Sequence, residues 1–216
     1  LLVEAGYPFI DQLIADYQKQ EHPRHEIPQI IIAPSWQKDN IIDLCAEQLL
    51  DVLSESGFSI ILRPHPQQVR HEPERFSMMK ERFQKYPNIE IQTDFSGNNP
   101  IMESDLLITD WSDIAWEYAF ATKRPVLYID TPMKVMNLEY EQIGIEPINK
   151  TLRTQIGEVL SLERMDTVCE VIRGMLQNKE EYSERITRVM HEHLYNVGSS
   201  SEICGRYISK SLQNRL

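Results

Sequence analysis

Ser104-Asp105-Leu106-Leu107-Ile108-Thr109-Asp110-Trp111-Ser112-Asp113-Ile114-Ala115-Trp116-Glu117 runs from an apolar segment into Thr-Asp and turns through Trp-Ser-Asp. It then enters helix-forming residues with a glutamate about one turn in. A short apolar run followed at once by capping residues is the pattern of a buried strand, a turn and a helix. In open α/β sheets such corners gather hydroxyl, carboxylate and unpaired N–H groups at the carboxyl end of the strand, where phosphates and riboses are commonly held. A helix starting near Ser112 leaves its first N–H groups unpaired, and its dipole favours anions, so a diphosphate is expected above Ser112 and Asp113. Glu117 lies four residues past Asp113 on the same helix face, placed to accept hydrogen bonds from the vicinal hydroxyls of a ribose. Asp110, Ser112 and Asp113 are also ordinary N-capping residues, and Glu117 an ordinary solvated helix residue. Their combination at the end of a buried strand favours the nucleotide.

Outward from this corner the same alternation repeats. Strand-like runs at 30–33, 58–62, 89–92, Leu106–Thr109 and Val126–Ile129 are separated by helical patterns at 39–56 and 73–86. Parallel strands need crossover helices and lose their polar face to them, so five such runs predict an α/β fold with a parallel sheet buried on both sides. Before it, an amphipathic stretch at 7–17 and a polar tract at 18–28 read as a helix and linker from a preceding region. Beyond Asp130 an irregular stretch reaches Asn149, followed by helical patterns at 153–161, 165–177 and 180–195, a turn at 196–199 and a last helix reaching about Leu212. The expected division is 1–28, a main domain at 29–195, and a C-terminal helix at 196–216. The sequence contains no internal repeat and no low-complexity tract.

A second constellation ends another strand: Ile60-Ile61-Leu62-Arg63-Pro64-His65-Pro66. Prolines on both sides of His65 restrict its backbone and present the imidazole on a stiff turn. Such a ring can donate to a phosphoryl oxygen and, once protonated, stabilise charge building there. Arg63 is placed to pair with a phosphate or with one of the many carboxylates.

The 216 residues carry a net charge of −11, which disfavours broad contact with a nucleic-acid backbone and leaves phosphate binding to local groups. Cys45, Cys169 and Cys204 are odd in number and far apart, so neither a disulfide framework nor a cysteine zinc site is expected, and a reducing cytoplasm fits. No apolar run approaches a membrane span, and no signal-peptide pattern opens the chain. It begins on Leu1 rather than methionine, and is therefore expected to be part of a longer polypeptide. His191 and His193 sit two apart on a helix and point to different faces, against a metal pair. G-x-G-x-x-G, P-loop and G-x-S-x-G motifs are all missing. Trp111, Trp116 and Tyr118 read as packing residues.

Ala33-Pro34-Ser35-Trp36, Arg63-Pro64-His65-Pro66, Ser104 to Asp113, Glu117-Tyr118-Ala119 and Arg124-Pro125-Val126, in that order, resemble the C-terminal half of the CDP-glycerol glycerophosphotransferase family. These enzymes build teichoic-acid-like polymers on a GT-B scaffold of two Rossmann-like domains. The resemblance implies that this chain is the Rossmann-like, donor-binding half. It assigns His65 to catalysis and diphosphate contact, the turn at Thr109, Asp110, Ser112 and Asp113 to phosphate, and Glu117 to the ribose. Asp113 departs from the family pattern, standing where a phosphate-binding serine is expected. A carboxylate there repels a diphosphate unless it turns away to cap the helix or a cation such as magnesium bridges the two. No other cofactor is implied.

The implied activity is transfer of glycerol phosphate from CDP-glycerol to a polymer hydroxyl, with the acceptor site in an N-terminal domain and the isolated fragment inactive. Membrane association at the inner face would come from regions outside this chain. A UDP-sugar-dependent GT-B glycosyltransferase or epimerase is the alternative, since the same strand-end acid and helix dipole serve any nucleoside diphosphate. A non-catalytic nucleotide-binding domain is the alternative of a different class.

Overall fold

Short runs of isoleucine, leucine and valine, too uniformly apolar to face water on either side, pair as six parallel strands. They are β1 (Gln29–Ile32), β2 (Ser59–Leu62), β3 (Ile89–Ile91), β4 (Leu106–Thr109), β5 (Val126–Ile129) and β6 (Gly157–Leu160). The computed structural model describes residues 2–22, 25–96 and 100–213. The strand order is β3-β2-β1-β4-β5-β6, with Ile31 of β1 in register with Ile61 and Leu107 on either side. Every residue of β4 and β5 is buried, which requires cover on both faces of the sheet. That cover comes from helices, in chain order α1 (Pro8–Lys19), α2 (Ile41–Leu44), α3 (Ala46–Leu53), α4 (Pro66–His71), α5 (Pro73–Phe83) and α6 (Ile114–Thr122). Then follow α7 (Tyr140–Ile143), α8 (Ile148–Thr151), α9 (Arg153–Ile156), α10 (Val168–Gln177), α11 (Lys179–His193) and α12 (Ser200–Gln213).

The order reverses between β1 and β4: the chain builds outward from β1 to β3, then crosses back to start again beside β1. Ligands of open parallel sheets bind outside the carboxyl ends of the strands at such a switch point. Helix α6, which leaves this point, is alanine- and aromatic-rich and buried on most of its surface, packing on β4, α1 and α11. It stops where Lys123 takes the left-handed conformation (φ 60°), two residues ahead of Pro125.

Several expectations change. The helix expected at 153–161 ends at Ile156, and the chain continues as the sixth strand. The apolar spacing of Ile156 and Leu160 imitates a helix face, whereas the deciding residue is Gly157. A Cβ there would land on the Val126 carbonyl oxygen, so only glycine lets this strand close on β5. The helix expected across 39–56 breaks at Cys45 (φ −152°, ψ 2°) into α2 and α3. Pro66, read only as stiffening the turn, is the first residue of α4. Helix α1 buries Ile10 in the common core and packs on α6. The Asp11 carboxylate on α1 accepts the backbone N–H groups of Gly198 and Ser200 (2.7 and 2.9 Å), clipping the first helix to the turn that opens the last. Within the polar tract that follows α1, residues 23 and 24 lie outside the described residues.

Candidate functional site

Because all six strands run the same way, the segments after β1, β2, β4 and β5 open on one edge of the sheet. The corner after β4 is held from within. Thr109 Oγ1 donates to the Ala33 carbonyl (2.7 Å). Asp110 Oδ1 accepts the N–H groups of Ser35 (2.8 Å) and Trp111 (2.7 Å), and Oδ2 accepts that of Ile41 (3.1 Å). Both side chains have no exposed surface, so their polar atoms face the loop after β1 and not the sheet edge.

Ser112 and Asp113 stand at the mouth of α6. The Asp113 side chain does not cap the helix; its Oδ1 accepts from Asn149 Nδ2 (2.6 Å), which turns this exposed carboxylate toward α8. Glu117, half-buried one turn on, has its pKa raised above the usual carboxylate value by burial first and by the neighbouring Asp113 second.

His65 sits at the N-cap of α4 with extended backbone (φ −62°, ψ 137°), and its Nδ1 accepts the Gln67 N–H (3.2 Å). A neutral ring that accepts at Nδ1 carries its proton on Nε2, leaving that edge as a donor. Burial lowers the His65 pKa, and the ammonium of Lys134 lowers it further, so the fold favours the neutral ring. Its face lies against the Trp36 indole. Arg63 points along the sheet edge the other way, where it donates to Gln92 and covers the Phe95 ring at 4.9 Å.

Between the corner after β4 and the segment after β5 lies a cavity of about 300 Å³, lined in part by Trp111, Asp113, Lys134, Tyr140, Asn149 and Lys150. Lys134 therefore borders the α6 mouth while its charge is felt at His65, which links the two constellations across the edge. Of the residues the sequence predicts for the site, Asp113 lines this cavity, and Arg63, His65, Thr109, Asp110, Ser112 and Glu117 do not. Sequence reasoning singled out neither Lys134, Lys150 nor Asn149: they fall in a stretch without periodicity, and nothing local marks them. Among the described residues no three His, Cys, Asp or Glu side chains are grouped to hold a metal ion, and no helix is long and apolar enough to cross a membrane.

The family model for CDP-glycerol:poly(glycerophosphate) glycerophosphotransferases matches residues 1–209. The chain is 28% identical over 211 residues to the teichoic acid poly(glycerol phosphate) polymerase of Bacillus subtilis (strain 168), covering 85% of this chain and 26% of that protein. Among solved structures it resembles the wall teichoic acid polymerase TagF soaked with CDPG (TM-score 0.52, 19% identity, 99% of this chain and 51% of that one). It also resembles the UDP-GlcNAc 2-epimerase of Methanocaldococcus jannaschii (TM-score 0.55, 13% identity, 95% of this chain and 54% of that one). The chain thus spans about half the length of these structures and about a quarter of the Bacillus protein. The structural likenesses identify the fold as a Rossmann-like half of a GT-B architecture. With a family match running almost from end to end and the motif-bearing loops gathered on one sheet edge, the chain belongs to the CDP-glycerol:poly(glycerophosphate) glycerophosphotransferase family.

Proposed function

We propose that this chain is the donor-binding unit of a transferase that moves glycerol phosphate from CDP-glycerol to a hydroxyl of a teichoic-acid-like polymer. The observation that carries the reading is that His65 and the α6 mouth follow strands ending on one edge of the sheet, with Lys134 lining the cavity beside Asp113 and its charge acting on His65, in a chain of this family. In the reaction an acceptor oxygen attacks the β-phosphorus in line, the bond from that phosphorus to the bridging oxygen breaks, and CMP departs with the electron pair. The Nε2–H of His65, the unpaired N–H groups at Ser112 and Asp113, and the Lys134 ammonium stabilise charge on the phosphoryl oxygens and the leaving group. Glu117 accepts from the ribose. Thr109 and Asp110 shape the corner from behind, and Arg63 is directed away from it, toward Gln92 and Phe95.

Asp113, held by Asn149, is turned aside from an incoming diphosphate, which offers a route to binding without a bridging magnesium ion. The acceptor and the general base come from outside this chain, and action at the inner membrane face goes with this reading. Titration with CDP-glycerol, CMP, UDP-GlcNAc and UMP, each with and without magnesium, tests it. Preference for the cytidine ligands is expected. Preference for the uridine ligands would replace it with the UDP-sugar reading, and binding without transfer by the complete polypeptide would replace it with a non-catalytic one.

A further inference from the structure

Trp36 is half exposed (49%), yet its indole lies nearly flat against two imidazoles: His65 at 5.6 Å between centroids and 11° between planes, and His71 at 6.0 Å and 5°. Those histidines are the N-cap and the last residue of α4, so the indole spans that helix from end to end. The backbone carrying it is fixed close by. The Ser35 N–H is held by Asp110, and the Ser35 carbonyl accepts from Asn40 Nδ2 (2.7 Å). The same Asn40 amide donates to Gln68 on α4 (3.0 Å), and Gln37 Nε2 reaches the Pro132 carbonyl. An indole left this open to water is not explained by core burial, and its loop is tied directly to the helix that His65 begins.

Among the described residues the His65 imidazole is held by one hydrogen bond, at Nδ1, which fixes that atom but not the plane of the ring. A second constraint on its face is needed to aim the opposite edge. We infer that Trp36 is the positioning residue that fixes the plane of the His65 imidazole and so directs its Nε2–H toward the transferring phosphoryl group, a role that rests on the transferase reading above. The flat indole blocks tilting and keeps water off one face. His71, against the same indole, keeps it from rotating away.

The test is heteronuclear NMR of the histidine rings, assigned with His65→Gln, in the wild-type chain, Trp36→Leu and Trp36→Phe. In the wild type, His65 carbon-bound protons displaced by the indole ring current and a single neutral tautomer protonated at Nε2 are expected. In Trp36→Leu the signals move toward those of free histidine and the tautomers mix, and Trp36→Phe restores most of the wild-type pattern. In the complete polypeptide, Trp36→Leu lowers kcat about 10- to 100-fold with KM for CDP-glycerol nearly unchanged, and Trp36→Phe recovers most of the rate. Unmoved His65 signals in a folded Trp36→Leu, or an unchanged kcat, overturn the inference. Should Trp36→Leu not fold, His71→Ala frees the far edge of the indole and is expected to broaden the same His65 signals; sharp, unmoved signals again overturn it. A wild-type rate in His65→Gln itself would instead remove the functional reading of His65, with the ring-plane assignment then decided by the NMR alone.

Discussion

The Asp110 carboxylate reaches across the switch point to the Ser35 N–H (2.8 Å), joining the loop after β4 to the loop after β1. With the Trp111 and Ile41 N–H groups on the same carboxylate, three buried donors depend on one side chain. Asp110→Asn replaces an acceptor oxygen by a donor and leaves at least one of them unpaired. A loss of about 2–3 kcal/mol is expected. Urea denaturation measures it, and a stability equal to wild type would show that the loops are joined by other means.

His65→Asn separates the two jobs of that residue. Asparagine is a good N-cap and keeps an acceptor for the Gln67 N–H, but it has nothing in place of Nε2. Melting temperature is expected to stay close to wild type, while transfer by the complete polypeptide falls roughly 100-fold or more. Turnover within a few-fold of wild type would remove the imidazole from the mechanism.

The proposed ribose contact of Glu117 predicts a pH dependence of binding with a defined sign. Its pKa in the fold is raised above 4.5, by burial and then by Asp113, so the fold favours the protonated form. Its contribution to stability is therefore fully present below pH 4.5 and is lost as pH rises through the raised value. The proposed ribose contact uses the carboxylate and is expected to run the other way, weakening as pH falls through that value. Glu117→Gln is expected to raise stability at pH 7, to weaken CMP roughly tenfold, and to abolish the acid limb of CMP affinity. Calorimetric titration from pH 7 downward checks all three, and an unchanged acid limb in the variant would assign the titration to another group.

Gly157→Ala asks how tightly β6 closes the sheet. The added methyl meets the Val126 carbonyl oxygen, so strand or backbone must move, at about 2–3 kcal/mol. Amide exchange along β5 and β6 should rise together with the loss of stability. Unchanged protection of Tyr128 and Val159 would mean that the edge absorbs the methyl without opening.

The parallel sheet was legible because its central strands are apolar almost throughout, and the carboxyl-edge placement of His65 and Ser112 follows from parallel topology. Strand β6 was hidden by spacing: Gly157 and Leu160 are its buried residues and Glu158 and Val159 its exposed ones, a pattern three apart that fits a helix as well as a strand. The inward roles of Thr109 and Asp110 were not readable, since a hydroxyl and a carboxylate at a strand end look the same whether they meet a ligand or a backbone amide. Lys134 escaped notice, and Trp36 was seen only as part of a motif, because their importance comes from three-dimensional neighbours at the start and end of α4, far from either in the chain. Asp113 was legible as a problem for an anion; its remedy, Asn149, lies 36 residues away.

The Asp11 clip has a mechanical consequence. Tension applied to the two ends of the fold enters through the segment carrying α1 and through α12, and these are fastened to each other by the Asp11 carboxylate and by Asn196 Nδ2 on the Glu4 carbonyl before either leads to the strands. A pull is therefore borne first by the hydrogen bonds from Asn196, Gly198 and Ser200. The sheet, and the crevice at its edge, stays unloaded until they give way.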